Sequence, residues 1–284
     1  MNPKPKIRMT SFEVLRKITS EIYANSIMTP RAEFTCCEPE DLLEEKLETM
    51  KGKFDALPMF QGTDLNEAEI HEYLTQENAD RKIKQGYRYC KEACSKIEEE
   101  EDKIPEDLPV ELLFAKLALR KNKAKVPLFL LDENNQVAGL ITVADLDKVA
   151  VKMYLFALIS ELELTLLKII SSDYHKLREV CKCGYCIEAR ERRKGKVYPD
   201  KNLEEYHYLY LTEIIHIILK SESLCESHRK VKSIFQSNSY GEIDTLRNAV
   251  AHPKPIVTDD FPLEKLVRLH NLIRDAIALC KSSD

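Results

Sequence analysis

The stretch KVPLFLLDENNQVAGLITVADLDK, residues 125–148, decides the fold of the first half of the chain. Two apolar runs, residues 126–131 and 137–141, flank the polar tetrapeptide DENN, whose residue types favour a tight turn. Thr142 follows the second run and is placed to cap a helix formed by the residues after it. The stretch therefore predicts a strand, a turn, a second strand and a helix.

The same order of elements stands earlier in the chain, which indicates an internal duplication. PEDL occurs at residues 39–42 and again at 105–108, each time ahead of apolar residues at helical spacing. LPMF and IHEYLT then correspond to VPLFLL and AGLIT, at offsets between 66 and 69 positions. The copies cover about residues 20–82 and 100–150, and the charged segment CSKIEEEEDKIPED between them is expected to be an exposed connector.

The composition is that of a globular chain with two domains. It has 284 residues, of which 44% are hydrophobic, enough for two cores. The first twelve residues lack the apolar core of a secretory signal, and charged residues interrupt the most apolar span, residues 149–170. No membrane helix is therefore expected. Nine Cys without an export signal favour reduced thiols in the cytoplasm.

The net charge of −5 is unevenly distributed along the chain. Residues 1–150 carry a formal charge of −7 and residues 151–284 carry +2, so the first half is a poor nucleic-acid surface. The second half contains the basic run RERRKGK at residues 190–196. This run is either a solvated helix end or a contact for a phosphate backbone.

From residue 151 onward the pattern is helical, without strand alternation or hairpin glycines. Pro262 stands at a favoured first-turn position of the last helix. Residues 1–150 are thus predicted to be mixed α/β and residues 151–284 all-α, an α+β chain overall. The predicted helices lie in YLFALISELELTLLKIISSDYHKL, LEEYHYLYLTEIIHIILK, IDTLRNAVAH and FPLEKLVRLHNLIRDAIALC.

The segment LRNAVAHPKP, residues 246–255, concentrates side chains suited to catalysis. Residues five apart on an ideal helix project about 140° apart, so Arg247 and His252 would not share a face. Pro253 disfavours the helical conformation at the residue before it. We therefore expect His252 to lie at the end of the helix or just past it.

These residue types suit metal-free cleavage of RNA, in which a ribose 2′-hydroxyl attacks the adjacent phosphate. His252 can act as base or acid, Arg247 can stabilise the developing charge, and Asn248 can position either group. Because one His cannot easily serve as both acid and base, a two-fold dimer is attractive. The structural alternative is a His that satisfies the last carbonyls of a helix.

The duplicated half resembles the CBS domain, which usually occurs as a tandem pair and forms an α/β sandwich-like module. SIMTPRAEF, DALPMF, EIHEYLTQENAD and residues 125–148 carry the resemblance. In that family Gly-x-x-Thr/Ser-x-x-Asp/Asn forms the nucleotide site, and Gly139, Thr142 and Asp145 match it fully. A helix N-terminus at Thr142 favours the binding of an anion, and Asp145 can accept hydrogen bonds from ribose hydroxyls. Alternatively, Thr142 is only a cap and Asp145 only a first-turn acid.

The first copy matches the same pattern incompletely. Thr75 and Asn78 are present, but Glu72 stands where the pattern has Gly. The resemblance implies an adenine nucleotide, AMP, ADP, ATP or a derivative, as a regulatory ligand of the pair. Many such pairs instead serve as dimerisation scaffolds.

The second half resembles the HEPN domain. LRNAVAHP, preceded by YLYLTEIIHIILK and SIFQSNSYGEIDTLRN, matches the Arg-x(4–6)-His motif of HEPN ribonucleases through Arg247 and His252, with Asn248 at the polar position. The resemblance implies a helical, generally dimeric endoribonuclease that acts without a metal. Glu161 or Glu163 on the first long helix is a further candidate for the same site.

A zinc site is a separate hypothesis. CKCGYC and CESH place a Cys-x-x-Cys pair and a Cys-x-x-His pair about forty residues apart, a spacing that allows tetrahedral coordination; the candidate ligands are Cys183, Cys186, Cys225 and His228. Chance spacing of unrelated thiols is the alternative. The remaining cysteines show no convincing partner spacing; they are Cys36, Cys37, Cys90, Cys94 and Cys280.

Together these patterns predict a cytoplasmic homodimer in which a nucleotide-sensing CBS module regulates a HEPN endoribonuclease. The alternative is a non-catalytic nucleotide-binding or assembly protein whose two domains are dimerisation modules. The acidic first half and nearly neutral second half favour that alternative, because RNA-cleaving surfaces are often more basic.

Overall fold

The computed structural model divides into two compact units, which we call the repeat unit and the helical unit. The repeat unit holds the described residues of 21–152 and 257–264, and the helical unit holds those of 1–20, 153–256 and 265–284. The structure describes residues 11–61, 69–120, 126–180, 184–195, 204–220, 226–235 and 239–281.

The repeat unit contains two β-sheets and short helices. One sheet has the order β1-β7-β6-β5 and the other the order β2-β3-β4. The strands are β1 (Thr29–Pro30), β2 (Ala56–Gln61), β3 (Glu69–Thr75), β4 (Ser95–Lys96), β5 (Lys103–Pro105), β6 (Leu128–Leu131) and β7 (Val137–Ile141). The α-helices that begin in residues 21–152 are α2 (Leu43–Met50), α3 (Gln76–Lys84), α4 (Glu99–Asp102), α5 (Val110–Leu119) and α6 (Val149–Val180), and α1 (Ser11–Ser20) precedes them.

The predicted hairpin and the predicted helix after it are both present, with one difference. β6 and β7 pair antiparallel, and Asn135 in the turn between them adopts φ 59°, a conformation that asparagine tolerates. After Thr142 the chain forms a 3₁₀ helix, Val143–Asp147, before α6 begins. The helix predicted directly after the hairpin thus starts as a tighter turn.

The two copies exchange strands reciprocally. β1, which lies at the start of the first copy, pairs with β7 of the second, so that Pro30 lies opposite Gly139. β4 pairs with β3 of the first copy, so that Lys96 lies opposite Glu72. Glu72 therefore occupies the position equivalent to Gly139, as the match between the two copies of the repeat predicted.

The segment between the copies, expected to be an exposed connector, is exposed only in part and also forms strands. Residues 94–107 contribute β4 and β5, and Ile97, Asp102 and Ile104 within them are buried. The 3₁₀ turn Cys90–Glu92 also repeats the turn Ala24–Ser26 at an offset of 66 positions. Strands of two and three residues beside a run of glutamates carry too little periodicity to be recognised from sequence.

A buried ion pair joins the last residue of α4, Asp102, to the residue that follows α5, Arg120. The side chains of Arg120 and Asp102 are 4% and 0% exposed, and Arg120 Nη2 donates to Asp102 Oδ1 at 2.9 Å. Arg120 Nη1 also donates to the carbonyl of Val126 at 3.0 Å. Nε of Arg120 is buried without a hydrogen-bond partner. The guanidinium thus depends on Asp102 to balance its charge in the core.

The helical unit confirms the all-α prediction for the described part of the second half. Its long helix α6 buries a stripe at helical spacing, including Leu155, Ile159, Leu162 and Leu166. The segment predicted as one helix around residues 203–220 instead forms a 3₁₀ turn, Glu205–Tyr208, followed by α8. The later helices are α7 (Tyr185–Lys194), α8 (Leu211–Lys220), α9 (Glu226–Phe235), α10 (Ser239–Ala251) and α11 (Leu263–Lys281).

Within the described residues, none of the helices combines the length and apolar character that crossing a bilayer requires.

Candidate functional site

The candidate nucleotide motif of the second copy gathers where β7 ends. Asp145 Oδ2 accepts from the backbone N–H of Thr142 at 2.7 Å and from its hydroxyl at 2.9 Å. The carboxylate thereby caps the 3₁₀ helix to which it belongs. Thr142 and Asp145 lie together, in an arrangement that fulfils the purely structural alternative of a helix cap.

The second carboxylate oxygen of Asp145 is engaged as well. Oδ1 accepts from the hydroxyl of Thr29 at 3.2 Å and lies 2.8 Å from Nζ of Lys148. Lys148 Nζ also donates to the carbonyls of Ile27 at 2.7 Å and Met28 at 2.8 Å. Asp145 is 5% exposed. A ribose hydroxyl that reaches this carboxylate must therefore displace Thr29 or Lys148.

Gly139 has a structural reason for being glycine. A Cβ there would lie 2.3 Å from Sδ of Met28 and 2.9 Å from the carbonyl oxygen of Thr29. The methionine sulfur could move, but the backbone oxygen belongs to β1, which pairs with β7. Gly139 thus permits the close approach of the two strands, whether or not a ligand binds nearby.

The first copy repeats this geometry with different chemistry. Asn78 N–H donates to Oγ1 of Thr75 at 3.1 Å, which caps α3. Asn78 Nδ2 donates to Oγ of Ser95 at 2.9 Å, in the position of the Thr29–Asp145 contact of the other copy. In each copy, a hydroxyl on the exchanged strand therefore meets the last residue of the motif.

The candidate catalytic residues of the helical unit lie at one helix end. α10 ends at Ala251, and His252 follows in an exposed turn, which confirms the expectation drawn from Pro253. Asn248 is exposed on the last turn, and Arg247 is one-third exposed beside it. The motif therefore ends in side chains that solvent can reach.

Glu163 of α6 lies beside this helix end. Nη2 of Arg247 is 4.0 Å from Oε2 of Glu163, an ion pair longer than a hydrogen bond. Burial raises the pKa of the Glu163 carboxyl, and the charge of Arg247 acts against that rise. The contact holds the guanidinium near α6 while leaving it able to turn its N–H groups to an anion.

Glu161, the other candidate on α6, belongs to a different cluster. Its Oε1 accepts from Nζ of Lys281 at 2.6 Å and lies 3.6 Å from Nε of Arg16. These contacts join α6 to α11 and α1. Of the two acids considered from the sequence, only Glu163 contacts Arg247.

The basic run at residues 190–196 is partly used inside the helical unit. Arg192 Nε donates to the carbonyl of Tyr208 at 2.9 Å, and its guanidinium lies 4.3 Å from the ring centre of Tyr210. The same guanidinium pairs with the buried carboxylate of Glu213. Arg192 thus joins α7 to α8, and Lys196 lies outside the described residues.

The zinc hypothesis falls largely outside the described structure. Cys183 and Cys225 are not among the described residues, and neither is the side chain of His228. Cys186 is buried on α7. Across the described residues, no three or more His, Cys, Asp or Glu side chains are arranged to hold a metal ion. A structural zinc ion stays a prediction, which metal analysis of protein purified without chelator would test.

The sequence analysis did not identify one buried histidine. His270 on α11 is fully buried, and its Nε2 lies 2.7 Å from the hydroxyl of Tyr154 on α6. Its Nδ1 is 3.1 Å from Oδ1 of Asn271. Burial lowers the pKa of His270 from 6.5 to about 4. A usable signal existed, since Leu266 and Ile273 place position 270 on the apolar face of α11.

His270 should make stability depend on pH. Its folded pKa lies below its unfolded value of 6.5, so the unfolded chain binds the proton more readily as pH falls from 6.5 to about 4. The free energy of unfolding should therefore fall in this window, by up to about 3 kcal/mol from this group. Urea unfolding of wild type and His270→Gln at pH 7 and pH 4.5 measures the effect. Equal losses in both proteins would show that His270 is not responsible.

Comparison with known proteins finds similarity only among solved structures. No protein-family model matches the chain, and no curated protein matches it. A hemolysin-like protein containing a CBS domain from Oenococcus oeni aligns at 14% identity over 48% of this chain and 96% of its own, with a TM-score of 0.37. The CBS domain of a bacterial CNNM/CorC family Mg²⁺ transporter in complex with ATP aligns at 20% identity over 51% and 94%, with a TM-score of 0.37.

A CBS-domain pair with bound AMP from Klebsiella pneumoniae aligns at 22% identity over 44% of this chain and 94% of its own, with a TM-score of 0.35. Each of these alignments spans about half of the chain.

Proposed function

We propose that the chain binds an adenine nucleotide through its repeat unit and cleaves RNA without a metal through its helical unit, as a cytoplasmic homodimer. The observation that carries the catalytic part is the end of α10, where Arg247 pairs with Glu163 and His252 stands exposed beyond the last turn. The observation that carries the binding part is the assembled motif at Thr142 and Asp145.

Each group at the end of α10 has a role in RNA cleavage. His252 takes the proton of the ribose 2′-hydroxyl or gives one to the leaving 5′-oxygen. Arg247 turns from Glu163 to the phosphate and stabilises the charge that develops there. Asn248, exposed one position after Arg247, hydrogen-bonds the phosphate or orients His252. Glu163 positions the guanidinium and does not contact the RNA.

A second copy of the chain completes the acid–base pair. An exposed His252 at one helix end can serve as base while the same residue of a partner serves as acid. The reaction then needs no metal ion, because proton transfer and charge stabilisation both come from side chains.

The nucleotide site uses the end of β7 and the turn that follows it. Lys148 is 40% exposed at its side chain and lies 2.8 Å from Asp145, so its ammonium can move to a phosphate when the ligand arrives. Oδ1 of Asp145, once Lys148 or Thr29 has moved away, then accepts a hydrogen bond from a ribose hydroxyl. Of the solved structures compared, the CNNM/CorC domain holds ATP and the Klebsiella pair holds AMP.

Asp145→Asn is expected to weaken the binding of AMP or ATP at least tenfold, since a charged acceptor for the ribose hydroxyls is lost. Isothermal calorimetry with the full chain measures this affinity. Asp147→Asn is the matched control, because it makes the same change of charge in the same turn outside the motif. Identical affinities of wild type and Asp145→Asn, or no heat with any adenine nucleotide, would refute the binding site.

A non-catalytic assembly protein is the second candidate. Thr142, Thr29 and Lys148 occupy both carboxylate oxygens of Asp145. This favours the second candidate, because the polar groups of the motif are satisfied without a ligand. A chain that dimerises but neither binds nucleotides nor cleaves RNA would match this candidate.

A further inference from the structure

Three thiols meet in the core of the first copy. Cys37 pairs with Met59 of β2 in a β-bridge, Cys90 begins the turn Cys90–Glu92, and Cys94 follows that turn. Cys37 and Cys90 belong to one buried hydrophobic cluster, and Cys94 packs against that cluster. The thiol of Cys37 donates to the carbonyl of Pro58 at 3.8 Å. Cys37 and Cys90 are fully buried, whereas Cys94 is partly exposed. Sequence spacing did not indicate this cluster, because Cys37 is more than fifty positions from the other two.

The other copy provides an internal comparison. By strand register and turn position, the residues equivalent to Cys37, Cys90 and Cys94 are Ile104, Ala24 and Met28. Ile104 and Ala24 are buried apolar residues of ordinary cores. The fold therefore accepts apolar side chains at all three positions, and packing alone does not explain why one copy has thiols at every one of them.

The cluster distinguishes one accessible thiol from two protected ones. The pKa of the Cys90 thiol is raised by its contact with Cys37 and by burial, and that of Cys37 is also raised. These two groups are protonated at neutral pH and hidden from reagents in solution. Cys94 is partly exposed and packs against the cluster that contains Cys37. A small reagent must therefore react first at Cys94.

We propose that Cys94 and Cys37 form a reversible disulfide by exchange with a low-molecular-weight disulfide such as glutathione disulfide. The Cys94 thiolate attacks one sulfur of the reagent, which gives a mixed disulfide and releases one thiolate. Cys37 then attacks Sγ of Cys94, and the second departing thiolate takes up the proton that Cys37 loses. Two protein thiols are thus oxidised, and one reagent disulfide is reduced to two thiols.

The bond would reach the candidate nucleotide motif of the first copy. Cys94 directly precedes Ser95 of β4, whose hydroxyl accepts from Nδ2 of Asn78. Cross-linking Cys94 to Cys37 ties this end of β4 to the segment that bridges Met59. Oxidation of the two thiols would therefore restrain β4, the strand whose Ser95 contacts Asn78 of the motif.

Peptide mass mapping of the full chain after incubation with glutathione disulfide tests the proposal. We expect a linked pair of peptides containing Cys37 and Cys94, lighter by two hydrogens than the reduced pair and restored by dithiothreitol. Cys94→Ser should abolish the link. Cys37→Ala should instead leave a stable glutathione adduct on Cys94, because the resolving thiol is absent.

Cys280→Ser is the matched control, since Cys280 is a buried thiol of the helical unit and its removal should leave the link intact. A stable adduct on Cys94 in wild type without the internal link would overturn the proposal. So would a chain whose cysteines all remain reduced after prolonged incubation, or a link that persists in Cys94→Ser.

Discussion

Replacing His252 with Ala is expected to lower the rate of RNA cleavage by about a hundredfold to ten-thousandfold, the usual contribution of a positioned acid or base. His252 is exposed just beyond the end of α10, so its removal should not disturb the packing of the helix. Single-turnover cleavage of a labelled single-stranded RNA, with a chelator present, measures the rate. Circular dichroism and size-exclusion chromatography should give the same result for variant and wild type.

Two further variants separate catalysis from general effects of charge. His207 is also an exposed histidine of the second half, and His207→Ala should cleave as wild type does. Arg247→Lys keeps the positive charge but loses the fork of donors, so a large loss of rate is expected there too. If His252→Ala and His207→Ala cleave equally well, His252 does not act in the reaction.

Asp102→Ala is expected to lower the free energy of unfolding by about 3–5 kcal/mol, the cost of leaving one charge of a buried pair without its partner. Arg120 is 4% exposed and already has one unsatisfied nitrogen, so it gains little from solvent when Asp102 is removed. Guanidinium unfolding of the full chain, followed by circular dichroism, measures the loss.

The pair between Lys84 and Asp80 on α3 supplies the control. Both side chains are more than half exposed, so Asp80→Ala should cost less than about 1 kcal/mol. Replacing Asp102 and Arg120 together with Leu and Met should recover much of the stability, because apolar substitutes remove the need for charge balance. A loss from Asp102→Ala no larger than that from Asp80→Ala would mean that the pair is dispensable.

The hairpin of β6 and β7 could be predicted because its signals are local. A polar turn between two apolar runs defines both strands, and Thr142 marks the start of the next turn. The end of α10 was predictable for the same reason, since Pro253 acts on its immediate neighbour. The strands β4 and β5 were missed because two or three residues in an acidic segment carry no periodic signal.

The contacts that give each site its chemistry are not local. The hydroxyl of Thr29 reaches Asp145 over 116 positions, and Arg247 meets Glu163 across two helices. Residue types alone identified Asp145 and Arg247 as candidates. They could not show that both oxygens of the Asp145 carboxylate already have partners within the protein. The thiol cluster around Cys37 could not be predicted for the same reason, because the fold brings together residues more than fifty positions apart.

The measurement that tests the central claim most directly is cleavage of a labelled RNA by the full chain in a chelator, with and without AMP or ATP. The account predicts cleavage by wild type, a change in its rate when the nucleotide is added, and almost no cleavage by His252→Ala in either condition. Wild type that leaves the RNA intact in every condition, or that cleaves at the same rate as His252→Ala, would contradict it.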